Sequence, residues 1–219
     1  MNDPNRSRCG GFTLIELMVV IGIIGALAAV LVGAVGPSKL AANLAIDAVQ
    51  LRTHAAWFKL YEQKHRGGLP MEGGHRFVLA TWTSGIFHHD EEELDNYFSP
   101  GERAGDPDYV AAREQMEMGR DPWPTLAKVT SRDTHYAGRA RSHVKTARRG
   151  GQFLMATDNE SGWCWEDGTV QVLLSKGAVR TYSYQDLTKR FGLGPMDVAA
   201  PVATFGASSP IPECRKLAK

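Results

Sequence analysis

The stretch Gly11-Phe12-Thr13-Leu14-Ile15-Glu16-Leu17 opens an apolar run that continues to Val35. It places a single carboxylate, Glu16, one turn inside a segment otherwise suited to lipid. A charge at the centre of a membrane helix costs roughly 2.5–3.5 kcal/mol, and less near its end. A lone acid kept at that place implies a partner. From Phe12 to Val35 there are 24 residues with Glu16 as their only charge. A helix of that length runs about 36 Å, enough to cross a hydrocarbon core about 30 Å thick. The run is too long for a secretory signal, and no small-residue cleavage site follows it. Cys9 precedes the run, so it is no lipoprotein acceptor. Arg6 and Arg8 against Asp3 favour a cytoplasmic N-terminus with the remainder outside. Composition alone is also compatible with a simple single-pass anchor.

The string CGGFTLIELMVVIGIIGALAAV, residues 9–30, resembles the N-terminus of type IV pilins and of type II secretion pseudopilins. Their shared pattern is a short basic leader ending in Gly, then Phe, then Glu at the fifth position, then about twenty apolar residues. Gly11, Phe12 and Glu16 occupy those places. The resemblance covers about the first fifty residues. It implies that a prepilin peptidase cuts between Gly11 and Phe12 and methylates the new amine. It also implies that Glu16 of one subunit pairs with the Phe12 amine of a neighbour in a filament. An unpaired buried charge costs several kcal/mol, so such a pair selects register while apolar helices supply attraction. Gly22, Gly25, Ala26, Ala28, Ala29 and Gly33 let helices approach closely. The implied partners are the peptidase, other pilin or pseudopilin subunits, an inner-membrane assembly platform and the lipid bilayer. The implied place is the bacterial inner membrane, with a periplasmic C-terminal domain or a surface filament. The competing reading is a membrane-anchored periplasmic binding module that joins no filament.

At 219 residues and a formal charge of +1, the chain allows one membrane helix and one compact domain. Bulk charge gives no reason to expect a polyanion partner. Cys9 leaves with the leader. Cys164 and Cys214 remain in an oxidising compartment, where a disulfide and two separate buried thiols are equally compatible with the spacing.

Pro37 follows Gly33 and Gly36, a place for a kink. Beyond it Leu40, Leu44, Ala48, Leu51, Ala55 and Phe58 form an amphipathic stripe, with Lys39, Asn43, Gln50 and Lys64 opposite. Gly67-Gly68 and Pro70 end the helix. The expected organisation is a leader at 1–11, a membrane or filament-core helix at 12–36 and its amphipathic continuation at 37–68. A head at 69–194 follows, with an insertion at 88–150, and then a Pro/Ala-rich tail at 195–219. Arg76–Trp82 reads as a strand or a short helix. Gln152–Ala156, Thr169–Leu174 and Ala178–Tyr182 read as strands, the last two forming a hairpin over Ser175-Lys176-Gly177. Several pilin-like proteins carry Asp-Gly at the corresponding turn, so an acid-dependent role for it is not expected here. Ser183 caps a helix that ends at Phe191 before Gly192. The fold class is therefore α+β, a long helix packed on a small antiparallel sheet, in the manner of pilins. The tail is expected to be extended or partly disordered.

The middle of the chain divides by charge. Between Asp90 and Glu117 ten acids oppose Arg103 and Arg113, a net of −8. From Arg120 to Gly150 eight bases oppose Asp121 and Asp133, a net of +6. The halves attract each other within one head or between neighbouring subunits, or simply form the solvated surface of an insertion, which is the expectation favoured here.

Chemistry-bearing motifs are few. In His88-His89-Asp90 adjacent histidines point apart, which argues against a metal site. Asp158-Asn159-Glu160 with Glu166 and Asp167 offers oxygen ligands for calcium, but a polar turn fits better. No cofactor is expected. Trp163-Cys164-Trp165 reads as packing. The basic run Arg139–Arg149 lacks interleaved aromatics and a nucleic-acid fold, so nucleic acid is not an expected partner. There is no nucleophile elbow, zinc-protease helix or phosphate-binding glycine loop, and a structural rather than an enzymatic role is expected.

Overall fold

The computed structural model describes residues 13–147, 151–157, 168–195 and 205–218, and for residues 30–37 the backbone only. The chain is α+β, with one long N-terminal helix followed by a five-stranded antiparallel sheet. Helix α1, Leu14–Lys64, is a single element of 51 residues that runs through Pro37. The fold divides into two compact units, Met1–Ala42 and Asn43–Lys219. The left-handed residues Arg66 and Gly67 end α1. Buried Leu69 and Pro70 then turn the chain back.

In the second unit the predicted stripe faces inward, and Leu51, Ala55 and Phe58 are buried. Gln50, expected on the outer face, is buried as well. Its Nε2 donates to the carbonyls of Asp95 and Phe98, and its Oε1 accepts from the Tyr136 hydroxyl. The middle of the chain thus supplies partners that helical periodicity cannot anticipate.

The strands are β1 (Tyr136–Arg139), β2 (Phe153–Thr157), β3 (Val170–Leu174), β4 (Val179–Tyr182) and β5 (Leu217–Ala218). Their order is β4-β3-β2-β1-β5, and every neighbouring pair is antiparallel. The β3–β4 hairpin turns at Gly177, whose φ of 82° suits glycine. Between Phe153 and Met155 the register of β2 shifts. That bulge turns Leu154 and Met155 to one core cluster and leaves Phe153 and Ala156 in the other. The Arg76–Trp82 segment resolves as helix α2, His75–Thr83. It starts hard against the sheet, where a Cβ on Gly138 would lie 2.3 Å from the Gly74 carbonyl oxygen. Helix α5, Tyr184–Phe191, has the predicted cap at Ser183, completed reciprocally by Asp186, and stops at left-handed Gly192.

Two expectations are corrected. The stretch read as a solvated insertion is built into the interior. It supplies β1, helix α3 (Glu91–Asp95), helix α4 (Pro107–Glu117), and buried Leu94, Tyr97, Phe98, Tyr109, Trp123 and Val144 in the cluster beneath α1 and α2. Its net charge hid this, because Glu91, Glu92, Glu114 and Glu117 are exposed while Leu94 and Tyr109 of the same two helices are buried. The tail read as extended or partly disordered also contributes structure. Ile211, Cys214 and Leu217 are buried in the second cluster, and β5 pairs with Gly138 and Arg139.

Candidate functional site

Thr13 precedes the first helical residue of α1, and Glu16 lies three residues on. The Thr13 backbone N–H donates to Glu16 Oε2 at 2.9 Å, and Thr13 Oγ1 donates to the same oxygen at 2.7 Å. In return the Glu16 backbone N–H approaches Thr13 Oγ1 at 3.3 Å. This is a capping box, which satisfies backbone donors otherwise left open at a helix start. The carboxylate is thereby fixed beside the backbone nitrogen of residue 13. Gly11 and Phe12, the expected processing residues, lie outside the described residues.

Beyond this turn the helix is apolar on every side. Leu14, Ile15, Leu17, Met18, Val19, Val20, Ile21, Ile23, Ile24 and Leu27 are all exposed, Leu14 to 77%. A contiguous exposed apolar surface of this kind marks a membrane or protein interaction site. A Cβ on Gly22 or Gly25 would meet nothing within 4 Å, so both positions leave room for a closely packed helix. Among the described residues no helix is long and apolar enough to cross a membrane. The expected span, 12–36, includes Phe12 and the side chains of 30–36, which are outside that description.

The head holds its polar groups differently. Tyr136 OH donates to Asp47 Oδ1 at 2.5 Å, inside the core. His54 Nε2 meets the Asn96 carbonyl at 2.9 Å within a box of Trp57, Tyr97 and Tyr136. Burial lowers the His54 pKa to about 4, so the ring is neutral near pH 7. Its Nδ1 is buried without a hydrogen-bond partner.

Ser99, His135 and Asp106 come together, but in structural roles. The Ser99 backbone N–H, not its hydroxyl, donates to His135 Nδ1 at 3.1 Å, and His135 Nε2 meets Asp106 Oδ2. Asp106 Oδ1 caps α4 through the N–H groups of Asp108 and Tyr109. All three residues are buried, and nothing in this arrangement activates the serine.

The other sequence candidates are scattered. His89 stacks on Trp82, while Asp90 caps α3. Among the described residues no group of three or more His, Cys, Asp or Glu could hold a metal. The calcium candidates Asp158, Asn159, Glu160, Glu166 and Asp167 lie outside the described residues, as does Trp163-Cys164-Trp165. Cys214 is a free, buried thiol whose pKa burial raises to about 12, and its expected partner Cys164 is outside the description. Arg139 is no surface base. It is buried and donates to the carbonyls of His143 and Phe153, to Thr146 Oγ1 and to Gln152 Oε1.

Thr13, which holds the Glu16 carboxylate, has a signal in the sequence: Thr-x-x-Glu ahead of an apolar run is a capping-box pattern, though an acid in an apolar run points first to a distant partner.

Residues 6–32 match the family described as the prokaryotic N-terminal methylation motif. That motif is characteristic of type IV pilins and pseudopilins. No curated protein and no solved structure matches the chain.

Proposed function

We propose that this pilin-like precursor is trimmed between Gly11 and Phe12, methylated at Phe12, and assembled as a structural subunit of a type II secretion or type IV pilus-like filament. The observation that carries the reading is the coincidence of the methylation motif with a helix end exposed and apolar on all sides. Such a surface has low free energy only in lipid or against other helices. Newly inserted subunits would sit in the inner membrane with the N-terminus cytoplasmic and the head periplasmic. Prepilin peptidase and an inner-membrane assembly platform are the partners this requires. The role is mechanical, and the chain is the building block.

Glu16 is the registering group. The capping box already points its carboxylate toward the end of the helix, where cleavage creates an ammonium on Phe12. A neighbouring subunit's Phe12 amine would then meet a preorganised acid. Glu16→Ala tests this. The expected result is a chain that is still cleaved and membrane-bound but drops out of sheared filaments. Wild-type incorporation of that variant would contradict the pairing role.

A further inference from the structure

Among the described residues, no ion pair inside the head joins an acid of the 90–117 stretch to a lysine or arginine of 120–150; His135–Asp106 is the one ion pair between the two stretches. The others are Arg103–Asp95, Arg113–Glu91, Arg113–Glu117 and His89–Asp121. The exposed cations Arg120, Lys128, Arg132, Arg141 and Lys145 make no ion pair among the described residues, and nor do the exposed acids Glu92 and Glu114.

Strand β1 stands between the acidic stretch and two of these cations, Arg141 and Lys145, whereas Arg120, Lys128 and Arg132 precede it. Just before its first residue, Thr134 and His135 bond to Tyr97, Ser99 and Asp106 on the α3–α4 side. At its last residue, Arg139 bonds to His143 and Thr146 in the 3-10 helix Arg141–Thr146. The acidic face is thus held at one end of β1 and a basic face, Arg141 and Lys145, at the other. The acidic face also exposes two large apolar side chains, Val110 on α4 and Met118 just after it. Exposed apolar side chains on a charged face are features that a protein interface combines.

We infer that these are the two halves of one contact: the acidic α3–α4 face of one copy docks on the basic Arg141–Thr146 face of the next. A patch that binds a different patch on an identical neighbour gives a head-to-tail contact, which propagates into a ring or an open helical array. Charge complementarity fixes which face meets which and disfavours like-with-like pairing. The inference rests on the filament reading, in which many copies of the head are brought side by side.

The test uses the full chain in its native membrane, as a mixture of isotopically light and heavy copies. A photo-reactive residue replaces exposed Ser142, and in a parallel chain Val20. The expected result is a light–heavy adduct from position 142 to residues 91–118. Glu92→Lys with Glu114→Lys lowers its yield about fivefold, as expected for a few surface pairs acting together. Adding Arg141→Glu and Lys145→Glu to the same chain restores it, which a folding defect would not do. Adducts at position 20 without adducts at position 142 overturn the head contact and leave the filament reading intact. An uncut leader with no adduct at either position overturns both. An adduct to a different protein, or one indifferent to charge reversal, overturns the inference.

Discussion

The two halves of α1 treat polar groups in opposite ways. Between Leu14 and Ala29 the helix is exposed, and among the described residues its one acid is held by its own first turn, through Thr13. Between Asn43 and Lys64 the helix is half sunk, and Asp47, Gln50 and His54 are buried against groups from the middle of the chain. The head-side segment finds partners within the molecule for Asp47, Gln50 and His54 Nε2, while His54 Nδ1 is left without one. The N-terminal segment leaves its apolar surface, and room around Gly22 and Gly25, for something else. One half is spent on folding the head, and under the proposed function the other is kept for association.

The sharpest way to break this contrast is to truncate one large side chain in each half. Phe58→Ala removes a buried ring and should destabilise the head by about 3–5 kcal/mol. Ile21→Ala removes an exposed side chain and should leave head unfolding within about 0.5 kcal/mol of wild type while weakening assembly. Denaturant unfolding of the detergent-solubilised chain, followed by tryptophan fluorescence, reads both. Equal losses from the two variants would erase the distinction.

A second test uses acid. His54 is held at about 4 in the folded chain, against an ordinary value of 6.5. The unfolded chain therefore binds a proton that the folded one refuses. The stability associated with neutral His54 is fully present above pH 6.5 and is lost as pH falls from there toward 4. The shift corresponds to about 3 kcal/mol. Melting temperatures of wild type and His54→Gln across pH 4–7 should converge or cross as pH falls. Parallel curves would show that His54 titrates normally.

Tyr136→Phe is a finer probe. It removes the hydroxyl that donates to Asp47 and Gln50, taking one buried hydrogen-bond donor out of the core. A loss of about 1–3 kcal/mol in head stability is expected from chemical unfolding. A neutral result would mean that water or another group replaces the hydroxyl. The smallest effect belongs to Thr13→Val, which keeps the shape but removes the capping oxygen, at about 0.5–2 kcal/mol for the first turn alone. Hydrogen exchange should quicken at residues 14–17 and stay unchanged in the head. Faster exchange throughout the head would contradict the local role.

Much of this was legible in the sequence because it is written locally. The exposed apolar helix from Leu14 to Ala29, the Ser183 cap with its Gly192 stop, and the 169–182 hairpin each depend on residues a few positions apart. The middle was misread because its signal is divided between levels. Acids at Glu91, Glu92, Glu114 and Glu117 speak for solvent, while Leu94, Tyr97, Phe98 and Tyr109 between them speak for a core. With helices of five and eleven residues, periodicity is too brief to separate the two. The tail was misread because its prolines and alanines conceal three well-spaced anchors, Ile211, Cys214 and Leu217, which become meaningful only once the edge of β1 is in place. Gln50 shows the same limit in one residue. A polar side chain on a helix is assigned outward by pattern and inward only by knowledge of its partners.

The most direct measurement is the N-terminal peptide of the native chain, by mass spectrometry, from membranes and from sheared surface filaments. A peptide that begins at N-methylated Phe12 in the membrane, and recurs in the sheared fraction if the fibre reaches the surface, is the predicted result. An intact Met1 leader in both fractions, with an active prepilin peptidase present, would contradict it and reduce the apolar end of α1 to an anchor.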